Sequence, residues 1–291
     1  MTRLRTTAMV CGLALLAGCS TVRLGYTQLD NIALWTAERY FDLDEQQKKN
    51  FRTRFYYLHR WHRDEQLPDY AAFLERAKAR LQRGLSAADV HWFLEGIHQR
   101  YVLIVNRGAD DAAAILLTIT PRQLTYVQKR WDDLNQRFAS DNQLDASLQD
   151  RREARAQRSI KRFRDWFGDL SDKQERIIRA HVASMEMIGP LRQQDRMRRQ
   201  REFMQLMELR TQPGIFKEKL RLWLIAWDAG RSPQYQRSWV RWRDQNIAML
   251  IAVDRTLTPD QRALAARRLQ GYIDDFRSLS KRSGVHAAAT P

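Results

Sequence analysis

His59 and His62 stand one helical turn apart, and Asp64 and Glu65 follow directly. Two imidazoles beside two carboxylates could begin a metal site or an acid–base pair. A zinc centre, however, takes three or four protein ligands, and this turn offers only two imidazoles. His91 and His98 form a second pair two turns apart on another stretch. Only tertiary folding could unite the pairs, and nothing in their spacing requires it. Hydrogen bonding on and between helices is the role their pattern predicts. No G-x-S-x-G, H-E-x-x-H, phosphate-binding glycine loop, dinucleotide fingerprint or paired Glu-x-x-His pattern occurs. The sequence therefore predicts no catalytic residue, no metal ligand and no cofactor, and a non-enzymatic protein.

The cysteines point to a different chemistry. MTRLRTTAMVCGLALLAGC opens with Arg3 and Arg5, runs through a short apolar stretch and ends in small residues at Cys19. That is the anatomy of a secretory signal, too short for a spanning helix. Leu16-Ala17-Gly18-Cys19 resembles the lipobox of bacterial lipoproteins. The resemblance implies cleavage before Cys19, acylation of that residue and stable anchoring by several acyl chains. Ser20 follows where lipoproteins kept in the inner membrane usually carry Asp, so the resemblance implies the periplasmic face of the outer membrane. Cys11 leaves with residues 1–18, and the mature chain then holds neither a free thiol nor a disulfide.

Charge divides unevenly. Residues 19–150 carry 18 Lys plus Arg against 18 Asp plus Glu, whereas residues 151–291 carry 30 against 16. The densest run lies within 151–201, where Arg151, Arg155, Arg158 and Arg162 recur at helical spacing and Arg196, Arg198 and Arg199 follow. Such a surface suits anionic lipid head groups, peptidoglycan carboxylates or an acidic envelope protein. Nucleic acid is not expected in that compartment. A solvated helix neutralised in part by Glu153 and Asp165 is the plainer reading of the same run.

Helices must position these residues. Apolar residues recur at three- and four-residue spacing, as in Tyr70, Phe73, Leu74, Ala77 and Leu81, or Phe216, Leu220, Trp223 and Trp227. No alternating stretch competes. Asp42-x-x-Glu45, Ser86-x-x-Asp89, Thr120-x-x-Gln123, Ser147-x-x-Asp150, Ser171-x-x-Gln174 and Thr258-x-x-Gln261 read as capping boxes or relatives of them. Pro68, Pro121, Pro233 and Pro259 read as first-turn prolines, and Gly84, Gly168 and Gly230 as helix ends. The aromatic groups around Phe51–Trp61 and Trp223–Trp242 read as core, with an aromatic peptide groove as the alternative. The expected fold is all-α, a multi-helix antiparallel bundle or elongated helical array. Its parts would be a lipid-anchored linker at 19–29, a charge-neutral region at 30–138, an Arg-rich region at 148–279 and a disordered tail at 280–291.

LGYTQLDNIALW, DLDEQQK and the stretch Trp61-His62-Arg63 with Leu67-Pro68-x-Tyr70 resemble a family of uncharacterised proteobacterial lipoproteins known as a domain of unknown function. That resemblance implies a helical, lipid-anchored periplasmic body and carries no activity. Ile119–Gln123, Leu170–Gln174 and Leu257–Gln261 resemble the LTxxQ motif of Spy-type periplasmic chaperones, which implies a holder of unfolded envelope proteins as the alternative function. A capping box explains the same pattern mechanically.

Overall fold

Satisfied helix starts dominate the architecture. The computed structural model describes residues 22–287, with side chains through Lys281. A short helical stretch at 22–27 leads into α1 (Leu29–Phe41). Then come α2 (Glu45–Trp61), a π-helical turn (His62–Gln66), α3 (Leu67–Arg83), α4 (Ala87–Leu116) and α5 (Pro121–Asp141). After these run α6 (Leu148–Phe167), α7 (Asp172–Ala183), α8 (Gly189–Glu208), α9 (Pro213–Ile225), α10 (Pro233–Asp254) and α11 (Pro259–Ala287). The fold is all-α, with no strand among the described residues.

At Ser86, Thr120 and Ser171 the cap side chain accepts the amide three residues on, while that residue's side chain accepts the cap's own amide. Thr258 and Gln261 do the same, whereas Ser147 and Ser232 accept without the return bond. One assignment shifts by two residues. The box expected at Asp42 and Glu45 is formed by Asp44 and Gln47. Asp42 ends α1 in the left-handed region, at φ 49°, a conformation Asp tolerates better than most residues because its short side chain bonds locally.

Pro68 lies in the first turn of α3, as its type predicts, but the chain is already helical before it. The chain runs helically from Glu45 to Arg83, a rod of about 58 Å at 1.5 Å per residue. Proline lacks an N–H and its ring crowds the carbonyl four residues back. The π-helical turn just before it widens the local register, and the Leu67 amide bonds the His62 carbonyl.

The charge step near 139–147 does not separate two bodies. One core cluster joins Leu81 of α3 to Ile160, Phe163, Ile178, Val253 and Ala265. A second joins Leu43, Leu116 and Ile119 to Phe203, Met207, Phe216 and Leu220. Both mix residues from the two sequence regions. Buried Asp254 at the end of α10 accepts the Leu85 amide (2.9 Å) and Arg262 Nη1 (2.8 Å), while Arg262 also donates to the Leu81 carbonyl (2.6 Å). Net charge reports surface composition, and burial decides what packs with what.

Two ends also differ from expectation. From residue 22 the supposed linker is helical and docked, since Tyr26 lies against His59 and His62 and Arg23 pairs with Asp275. The tail is helical through Ala287. No proline interrupts the chain there, and Ser280 Oγ bonds the Arg277 carbonyl one turn back.

Candidate functional site

Arg151, Arg155, Arg158 and Arg162 fall on one stripe of α6, across the helix from Ala156, Ile160, Phe163 and Phe167, which enter the core. Arg155 is half-buried. Its Nη2 donates to Asn246 Oδ1 (3.1 Å), its guanidinium lies 5.4 Å from the Trp242 ring, and its Nε is buried without a hydrogen-bond partner. The charged groups acting on it are Arg162, Arg158 and Arg192, and no carboxylate offsets them. Burial first, then these three cations, pull the Arg155 pKa down to about 10. Nearby acids are engaged elsewhere. Both Glu153 oxygens lie 2.9 Å from Arg179 Nη1, and Asp165 holds Lys161 at 2.9 Å. Arg158 and Arg162 are exposed. Arg151 is half-buried with an unpartnered Nε.

The α8 arginines are spent inside the molecule. Arg196 Nε donates to Asn135 Oδ1 (2.8 Å). Arg198 pairs with Asp195 and Glu202 and donates to the Ala229 carbonyl (2.8 Å). Arg199 stacks 3.7 Å from the Trp223 ring centre and donates to the Trp223 carbonyl. They brace α8 against α5, the α9–α10 connection and α9. Arg192 joins the α6 group instead, and sequence reasoning missed it: Asp195 stands three residues on, but it pairs with Arg198.

The histidines divide. His59 Nδ1 lies 2.7 Å from Asp30 Oδ1, and the Tyr26 hydroxyl 2.8 Å from His62 Nδ1. The Tyr26 ring packs 4.7 Å from His59, while Tyr70 meets His62 edge-on. Burial, with a smaller contribution from His59, lowers the His62 pKa to about 4, and burial raises that of Tyr26. His62 is thus neutral near pH 7, and the cluster pins the N-terminal segment to the π-helical turn. His91 lines a different cleft with His181 and Asp244, and His98 is exposed. Among the described residues no group of three His, Cys, Asp or Glu is placed to hold a metal ion. An apolar cavity of about 200 Å³ lies between α3, α4, α6 and α11, lined by Leu81, Phe93, Trp166 and Leu269. Its polar rim, Arg80 and Asp89, is joined by an ion pair at 3.1 Å.

Four of the capping boxes close with glutamine, and these glutamines meet in pairs. Gln47 and Gln123 exchange side-chain amide bonds (3.1 and 2.7 Å), and each also donates to a carbonyl two residues before the other's cap, Thr118 and Asp42. Gln174 and Gln261 repeat the arrangement at 2.8 and 3.0 Å, donating to Thr256 and Asp169. Each clasp joins two helix starts that are distant in sequence, and it accounts for the LTxxQ-like pattern without a partner.

Fold and site together define an all-α protein whose helix starts are clasped by paired glutamines and whose α6 carries an unneutralised arginine stripe. The chain belongs to DUF6279, a family of unknown function, whose model matches residues 39–236. That span includes His59, His62, the first clasp and the arginines of α6 and α8, and ends before Gln261. No curated protein and no solved structure matches the chain. Leu16, Ala17, Gly18 and Cys19 lie outside the described residues.

Proposed function

We propose that this chain is a lipid-anchored, non-enzymatic protein of the periplasmic face of the outer membrane that binds an anionic envelope partner through α6. The reading of the anchor rests on Leu16–Cys19. The reading of the partner surface rests on one observation, the Arg155 group. Guanidinium groups repel one another, and a fold that sets Arg158, Arg162 and Arg192 around half-buried Arg155, with no carboxylate acting on it, is stabilised when an anion neutralises the group. Phosphate or carboxylate oxygens matched to the planar forks of exposed Arg158 and Arg162 are the fitting chemistry. Lipid phosphates, peptidoglycan carboxylates and acidic protein side chains all supply it.

Photoreactive residues at positions 158 and 162 of the full chain in living cells test this reading. A small set of recurring adducts, weakened by added salt and abolished by Arg155→Gln with Arg192→Gln, is the expected result. A smear over many envelope proteins would replace it with a holder of unfolded chains. No adduct above that of an exposed site on α4 would refute it.

A further inference from the structure

We propose that the outward face of the N-terminal helical segment is a bilayer-contact surface that seats the body on the membrane in a fixed orientation. The inference rests on the acyl anchor proposed for Cys19 and goes beyond it, because an anchor alone leaves the body free to swing.

The stretch at 22–27 and α1 form a nearly continuous helix. The Gln28 amide bonds the Leu24 carbonyl (3.2 Å) and the Ile32 amide bonds the Gln28 carbonyl (3.0 Å). Its inward side is pinned at four points. Tyr26 meets His62, Asp30 meets His59, Arg23 pairs with Asp275 and Leu34 is buried. The opposite side presents Leu24, Ile32 and Trp35, which are 64%, 46% and 55% exposed. Gln28 and Asn31 lie between them, and the Arg39 guanidinium sits 4.5 Å from the Trp35 ring centre. The acids of this segment are engaged elsewhere, Asp30 with His59 and Glu38 with Lys48. A Trp–Leu–Ile face with a flanking Arg and no carboxylate fits the head-group layer, where an indole and a snorkelling guanidinium both find partners.

Chain length commits this face to a lipid occupant. Cys19 lies three positions before Val22, and an extended chain spans at most about 3.6 Å per residue, so the helix starts within ~11 Å of an acylated cysteine. Leu24 is then held at head-group depth, and Trp35 lies about three turns along the same face.

The mature acylated chain has no free thiol, so one introduced cysteine carries a probe without competition. The test uses Ile32→Cys and Leu148→Cys, both at exposed positions. Each is labelled with an environment-sensitive fluorophore in the full acylated protein and reconstituted in phosphatidylethanolamine–phosphatidylglycerol vesicles containing brominated lipid. Blue-shifted emission at position 32, quenched at least about twofold more than at 148, is expected for a residue in the interface. Equal quenching at both positions, with the protein floating with the vesicles, would overturn the seat and leave the anchor standing. Failure to float would overturn both.

Discussion

Replacing Gln174 by Leu keeps side-chain volume and removes one half of a clasp. Gln174 is 1% exposed. It donates to the Thr256 carbonyl (3.0 Å) and to Gln261 Oε1 (2.8 Å), and it accepts from the Ser171 amide (2.9 Å) and Gln261 Nε2 (3.0 Å). Each bond contributes about 0.5–1.5 kcal/mol net, and each partner left buried without a bond costs about 1–3 kcal/mol more. Gln261 and Ser171 lie near solvent, so water offsets part of that loss. The expected cost is therefore ~2–4 kcal/mol, a fall in Tm of roughly 5–12 °C for a chain of this size. The discriminating measurement is a double-mutant cycle with Gln261→Leu, followed by urea unfolding with tryptophan fluorescence and far-ultraviolet circular dichroism. Once both amides are gone neither is stranded, so the double variant should be less damaged than the sum of the singles by about 1–2 kcal/mol. Gln47→Leu with Gln123→Leu should give the same sign. Effects that add within ~0.5 kcal/mol at both clasps would refute the argument that the paired glutamines act as a unit.

Two further outcomes follow from local geometry. A Cβ at Gly96 would sit 2.4 Å from Phe73 Cε2. The Phe73 ring is itself held between Phe93 and the Arg100 guanidinium, so Gly96→Ala should lower the unfolding free energy measured in urea by about 1–3 kcal/mol. Gly25→Ala, which meets nothing within 4 Å, should leave it unchanged or raise it by up to ~1 kcal/mol; equal responses would refute the packing argument. The second outcome concerns acid. His62 titrates at about 4 in the folded chain against an ordinary 6.5, so the unfolded chain binds the proton first as pH falls. Stability should drop between pH 6.5 and 4, by at most roughly 3 kcal/mol at 1.36 kcal/mol per unit. Glu186, held at about 2 by Arg241 and Ser238, acts only below about pH 4.5, so the upper window reports His62. A His62→Gln variant with an unchanged slope between pH 6.5 and 4.5 would exclude His62 as its source.

Local signals in the sequence were reliable because capping is local chemistry. Thr120, Ser171 and Thr258 start helices where their spacing said they would. Partnership across the fold was not legible. Gln123 read as the N3 residue of its own box and Gln47 was assigned to none, and nothing in either segment tells it that the other will lie opposite. The two-residue slip at Asp42 has a similar origin, since Asp42 and Asp44 are equally good caps in isolation and only the left-handed turn ending α1 chooses between them. Pro68 reads as a first-turn proline and is one, but the π-helical turn that joins its helix to the preceding one leaves no signal in the sequence. His59 and His62 were legible as hydrogen-bonding residues, but their partners were not: Tyr26 comes from the stretch read as a linker, and Asp30 from the residue just after it.

The arginines carry the same lesson further, because their fates were separable from sequence by a rule that net charge hides. Arg198 has Asp195 three residues before it and Glu202 four after, and Arg199 has the same two acids within one turn. On a helix these spacings bring the groups together, and both arginines end in internal pairs with Glu202. Arg151, Arg155 and Arg158 have no acid three or four residues away in either direction. Arg162 has only Asp165, which goes to Lys161. A guanidinium without a local carboxylate must find a distant acceptor, as Arg196 does in Asn135, or stay unneutralised, as the α6 stripe does. The basic excess of the second half is therefore two populations in one run of sequence. One braces α8 through ion pairs and carbonyl acceptors, and the other lies along α6 with no carboxylate acting on Arg155.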